Sequence, residues 1–218
     1  MHTPFAPVPV VPASGLFVAF EGGDGSGKTT QVRALAQRLE EAGREVVTSR
    51  EPGGTPLGEA IRNLLLHGDD MGARAEALLY AASRAQHVDE LIRPALERGA
   101  AVITDRYWDS SIAYQGAARQ LGGDEVAALS HWATAGLAPH LTVLLDLPVE
   151  EAAARRRNEG RGAEDRLERE TAQFHERVRA GYLDLAAQAP QRYLVLDARV
   201  GVAELEQQIW ARVQQLLA

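Results

Sequence analysis

Five short apolar runs punctuate this chain. Leu16 to Phe20 is unbroken and closes on Glu21-Gly22. The others are 45–49, 101–104 closing on Asp105, 141–145 closing on Asp146, and 192–196 closing on Asp197. Runs of this length, stopped by a polar residue or glycine, predict strands buried on both faces. Between the first two, Val32, Leu35, Ala36 and Leu39 fall on one helical face until Gly43 ends it. Further helices are expected over 57–66, over 75–97 with Pro94 bending or shortening it, and over 202–217. Strands alternating with helices predict an α/β fold: a doubly wound, five-stranded parallel sheet with its ligands at the strands' C-terminal edge. There is no internal repeat and no sign of a second domain.

Composition narrows the partners. The 218 residues are 45% hydrophobic, enough for one sizeable core, and the formal net charge is −7. A chain without an overall basic field is not expected to grip nucleic acid irrespective of sequence. No cysteine is present, so disulfides and thiolate metal sites are excluded, and the composition fits a reducing cytoplasm. No apolar run reaches the roughly 20 residues of a membrane span. Residues 1–14, with four prolines and no basic segment leading into an apolar one, read as a disordered leader to one domain over 15–218.

Chemistry enters after the first strand. Gly22-Gly23-Asp24-Gly25-Ser26-Gly27-Lys28-Thr29-Thr30 fits the phosphate-binding loop, and strand, glycine loop and helix follow in the order that motif needs. Of 23 basic residues, Lys28 is the one lysine and 22 are arginine, so the ammonium is kept where a flexible point charge follows moving phosphate. Backbone N–H groups of 22–30 and the helix N-terminus would hold the phosphates of a nucleoside triphosphate, and Thr29 would ligate Mg²⁺. A second metal acid is expected at a strand end. Asp105, Asp146 and Asp197 all qualify by position, and the following Arg106-Tyr107 selects Asp105. Guanine specificity through Asn-Lys-x-Asp is impossible with the sole lysine in the loop. Residues 155–166, rich in arginine and glycine, read either as a solvated loop tip or as a short lid carrying an arginine to the transferring phosphate.

Four strings then carry a resemblance: Phe20 to Thr30, Arg50-Glu51-Pro52-Gly53-Gly54-Thr55, Asp105-Arg106-Tyr107 and Ala113-Tyr114-Gln115-Gly116. In this order they resemble the thymidylate kinase family of P-loop NTPases, over nearly the whole chain. The resemblance implies ATP plus dTMP giving ADP plus dTDP with Mg²⁺, and a homodimer, for which the apolar helix faces near Leu78 and Ala127 could serve. It implies Arg50 and Arg106 as forks on the acceptor phosphate. Asp24 would lie near the acceptor's 3′-hydroxyl and phosphate. Tyr80, a core aromatic by spacing alone, becomes the ring stacked on thymine. Arg84, one turn later, would donate to a base carbonyl, Tyr114 would crowd the sugar's 2′ side, and Ser110, Ser111 and Gln115 would line the base pocket from a loop.

One departure matters. Some relatives carry an arginine in the phosphate loop where this chain has Gly25, so a lid arginine must serve: Arg161 first by its distance from Asp165-Arg166, Arg157 second. Lys28, Arg106, Arg161 and Asp105 are thus the catalytic candidates. The rival readings are another nucleoside monophosphate or deoxynucleoside kinase, and a nucleotide-binding regulator without turnover.

Overall fold

The computed structural model describes residues 15–158 and 165–217. The leader expected over 1–14, Arg161 and the middle of the expected lid segment lie outside the described residues. β1 (Leu16–Glu21), β2 (Val46–Arg50), β3 (Ala101–Asp105), β4 (Leu141–Asp146) and β5 (Tyr193–Asp197) form one parallel sheet in the order β2-β3-β1-β4-β5. The chain builds β2 and β3 on one side of β1 and then crosses to β4 on the other. This reversal beside β1 opens the crevice in which open α/β sheets bind ligands. Register puts Arg50 beside Asp105, Phe20 beside Asp105 and Asp146 beside Asp197, so the polar strand ends share one edge.

The unbroken apolar run of β1 is explained by its two covered faces. Leu16, Val18 and Phe20 pack with α1 (Lys28–Glu41) and α9 (Val202–Leu217). Phe17 and Ala19 face the opposite layer with Ile92, Leu96, Tyr107 and Trp108. α2 (Pro56–His67) starts as its sequence dictates: Pro56 occupies the first helical position, and the Thr55 hydroxyl accepts from Gly58 N at 3.0 Å.

Three expectations need correction. The helix expected over 75–97 is α3 (Ala73–His87), a widened π turn (Val88–Ile92) and α4 (Arg93–Glu97). Pro94 has no N–H to donate, and its ring crowds the carbonyl four residues back, so the helix widens ahead of it. Ser110, Ser111, Tyr114 and Gln115 are helical rather than in a loop: α5 (Trp108–Ser111) runs into a π segment (Ile112–Ala118), ahead of α6 (Gly123–Ala133). The expected lid starts inside a helix, since Arg155 to Asn158 are the last turn of α7 (Val149–Asn158); α8 (Ala172–Gln188) follows the segment. No helix among the described residues is long and apolar enough to cross a membrane.

Candidate active site

The glycine loop rises from β1 and turns back into α1. A Cβ on Gly22 would lie 2.4 Å from the Leu145 carbonyl oxygen, so the loop can pass β4 here only without a side chain. Gly27, at φ 93°, supplies the left-handed turn that starts α1. Lys28 is buried and folds back over the loop, its Nζ donating to the carbonyls of Gly22 and Gly23 at 3.0 Å each. Burial first, and the Arg106 charge second, lower its pKa, partly offset by Asp105, Asp24 and Glu21.

Thr29 Oγ1 donates to Asp105 Oδ2 at 3.0 Å. Of the three strand-end aspartates only Asp105 meets the loop: Asp146 is clasped by Arg179, and Asp197 by Arg199. A hydroxyl and a carboxylate at the loop mouth form a hard oxygen pair of the kind that suits Mg²⁺ completed by phosphate and water. Among the described residues no cluster of three or more acidic, histidine or cysteine side chains could cage a metal without such help.

Beside the loop opens a cleft of about 530 Å³, lined by Asp24, Tyr80, Arg84, Arg106, Tyr114 and Gln115, with Ser110, Ser111, Arg62 and Asp165 around them. Arg106 is its hub. The residue sits at φ 72°, a backbone conformation costly outside glycine, and its N–H is tied to the Phe20 carbonyl at 2.8 Å. NH2 donates to Asp24 Oδ1 at 2.7 Å and to the Tyr114 hydroxyl at 3.3 Å; NH1 donates to Ser110 Oγ and the Tyr182 hydroxyl. Burial alone would raise the Asp24 carboxyl, but the Arg106 and Lys28 charges outweigh it and hold it well below the usual carboxylate range.

The structure brings most of the predicted acceptor residues together. Tyr80 is buried in the apolar cluster around Phe174 and Tyr182 and still borders the cleft. Arg84, 1% exposed, donates to Glu51 at 2.7 Å, Ser111 at 2.9 Å, and Ser130 and the Tyr107 carbonyl at 3.3 Å. Counted against five donor hydrogens, this leaves one on NH1 without a bond among the described residues. Gln115 donates to the buried Glu76 at 2.8 Å.

Arg50 is the exception. It does not line the cleft: its half-exposed guanidinium is forked onto Glu59, and Arg62, held by the Pro52 carbonyl, reaches the cleft from α2 instead. Arg157 is exposed at the end of α7, and it is Arg156 that touches the loop, through the Asp24 carbonyl at 2.8 Å.

Sequence reasoning passed over Glu21, Glu51, Arg62 and Tyr182. For Glu21 and Glu51 a signal existed: each is an acid at the end of a strand next to a motif that needs anchoring. Arg62 and Tyr182 carry no such mark, since only the packing of α2 brings Arg62 to the cleft and only that of α8 brings the Tyr182 hydroxyl to Arg106.

Comparison with known proteins agrees with this geometry. The thymidylate kinase family model matches residues 20–209. Among similar proteins are the thymidylate kinases of Clavibacter sepedonicus, 55% identical over 94% of this chain and 97% of that protein, and of Bifidobacterium longum subsp. infantis, 56% identical over 94% and 88%. That of Leifsonia xyli subsp. xyli is 56% identical over 91% of this chain and 94% of its own. A chain with this loop, this cleft and these likenesses belongs to the thymidylate kinase family.

Proposed function

We propose that the chain transfers the γ-phosphoryl group of ATP to dTMP, giving ADP and dTDP. One observation carries the reading beyond the family likeness. Asp24 Oδ1 lies 3.8 Å from Lys28 Nζ and 2.7 Å from Arg106 NH2, so the donor's cation and the acceptor's cation flank a single oxygen. Two phosphates bound at those cations would stand end to end, the arrangement that in-line transfer requires.

The loop N–H groups and Lys28 take the β- and γ-phosphates. Thr29 and Asp105 would hold Mg²⁺, which when bound neutralises charge on those phosphates. Arg106 forks onto the acceptor phosphate in place of part of its bond to Asp24, and Asp24 turns to the sugar hydroxyl. No strong base is needed, because a phosphate monoester with a second pKa of about 6 is already largely dianionic at neutral pH. Tyr80 covers the base, and the remaining hydrogen of Arg84 meets a base carbonyl. Tyr114 closes the sugar's 2′ side. The reading also includes a homodimer of a cytoplasmic protein, built on the exposed apolar residues Leu57 and Leu64 of α2, Leu78 of α3 and Trp132 of α6. Sedimentation of Leu78→Glu, expected to give monomer where the parent gives dimer, tests it; a monomeric parent refutes it.

The test of function is ADP release with ATP and Mg²⁺ against dTMP, UMP, dCMP and thymidine in parallel. Turnover is expected to be highest with dTMP and absent with thymidine, which brings no phosphate to Arg106. Preference for thymidine, or binding of ATP and dTMP without ADP release, would sink the proposal.

A further inference from the structure

Glu21 closes the central strand and has no role in the chemistry just described. It is fully buried. Its Oε1 accepts from Tyr107 N at 2.8 Å and Ser110 N at 3.2 Å; its Oε2 accepts from Ser110 Oγ at 2.6 Å and the Tyr182 hydroxyl at 2.9 Å. Those two hydroxyls, 2.8 Å apart, are the ones that accept from Arg106 NH1, at 3.2 and 3.0 Å. We infer that Glu21 is a positioning residue for the acceptor side of the site, acting on Arg106 through the hydroxyls of Ser110 and Tyr182. The inference rests on the reading of Arg106 as the acceptor's phosphate fork.

Hydrogen counting gives the reason. A guanidinium only donates, so each hydroxyl must turn a lone pair toward NH1. Each hydroxyl has a single hydrogen, and the carboxylate oxygen behind them is the acceptor that draws those hydrogens away from Arg106. NH1 is thereby fixed on the protein, and NH2 stays directed at Asp24 and the cleft. Glu21 also holds the peptide N–H that follows Arg106, helping to keep that residue in its costly backbone conformation.

A carboxamide of the same shape would undo this. Two backbone N–H groups hold the Oε1 position, so the amide oxygen must go there and the NH2 must face the hydroxyls. The hydroxyls would then accept from the amide and turn their hydrogens toward a guanidinium that cannot accept.

The experiment is Glu21→Gln, with Tyr182→Phe as a milder second variant and Arg106→Ala as the reference. Loss of a buried bond to a charged group predicts that Glu21→Gln raises KM for dTMP about 10- to 100-fold, and Tyr182→Phe about 5- to 10-fold, with KM for ATP unchanged in both. A pH profile adds a readout that a purely structural role would not move. Burial first, and the Asp109 charge second, push the Glu21 carboxyl up to about 7, against Arg106, Ser110 and the Tyr107 N–H; Lys28, Tyr114, Tyr182 and Tyr193 also lie within electrostatic reach. Parent kcat/KM for dTMP is therefore expected to fall on acidification through about 7, beyond the fall due to the substrate's own phosphate near 6. Glu21→Gln should show only the substrate's part.

If Glu21→Gln does not fold, Tyr182→Phe decides. A parent-like KM for dTMP in a folded Glu21→Gln, or failing that in Tyr182→Phe, overturns the inference when Arg106→Ala is impaired. A parent-like Arg106→Ala would instead overturn the reading of Arg106 itself.

Discussion

Thr29 Oγ1 and Asp105 Oδ2 meet at 3.0 Å although 76 residues separate them, joining the first turn of α1 to the end of β3. The pair predicts the metal response of the site. Asp105→Asn keeps the size and an oxygen but removes the charge that a hard cation prefers. Its kcat is expected to fall roughly 100-fold or more, with the Mg²⁺ concentration for half-activity rising. ATP titrated without Mg²⁺ should bind both proteins alike. A variant with the parent's Mg²⁺ dependence would remove Asp105 from the metal's coordination.

Lys28 gives a second prediction through its solitude. Its ammonium bonds to the carbonyls of a loop whose course is set by glycines such as Gly22 and Gly27, so Lys28→Ala should leave the fold in place. Removing the principal donor to the transferring group should lower kcat by about 100-fold or more. Because it is the sole lysine, an amine-directed reagent should modify only Lys28 and the N-terminus, and ATP should protect Lys28. Peptide mapping with and without ATP checks this. Modification that ATP does not slow would place the phosphates elsewhere.

These two residues were legible in the sequence because their chemistry is local: a glycine loop fixes its own lysine and threonine within eight residues. The strands were legible for a related reason, since a parallel strand covered on both faces leaves an apolar run. The helix 108–118 was not. It is buried on several sides, among α3, α6 and α8, so it shows no single apolar stripe, and its serines, glutamine and glycine resemble a loop. Arg50 and Arg62 show the other limit. Arg50 ends β2 and Arg62 lies in the helix after it, and only the folded course of α2 decides which of them faces the cleft.

The Glu51–Arg84 pair yields a stability prediction. The side chains are 3% and 1% exposed and meet at 2.7 Å. Burial would raise the Glu51 carboxyl, but Arg84 and His87 outweigh it and hold the pKa low. Glu51→Gln leaves a buried guanidinium without its counter-charge, which costs about 3–5 kcal/mol. For a chain of this length that lowers Tm on the order of 10 °C. Adding Arg84→Met should recover much of the loss, so the two changes should be far from additive in thermal unfolding. Full additivity would show that the two charges do not depend on each other.

Glu21 should reveal itself in the pH dependence of stability as well as in turnover. Its carboxyl is pushed from an ordinary 4.5 up to about 7, burial being the larger cause and the Asp109 charge the next. The folded chain therefore holds this proton more tightly than the unfolded chain does. The resulting contribution to stability is complete below about pH 4.5 and is lost as pH rises through 7, on the order of 3 kcal/mol over the window. Glu21→Gln has no proton to lose. Measured against the parent by denaturant unfolding, the variant should gain relative stability from pH 5 to about pH 7 and level off above it, whatever its offset at either end. A difference that stays flat across that range would mean that Glu21 is ionised in both states, with Arg106 and the bonded hydroxyls outweighing its burial. The predicted slope instead describes a carboxylate that gains its charge only as pH rises through neutrality, at a cost to the fold, so that an arginine one hydroxyl away is held ready for its anion.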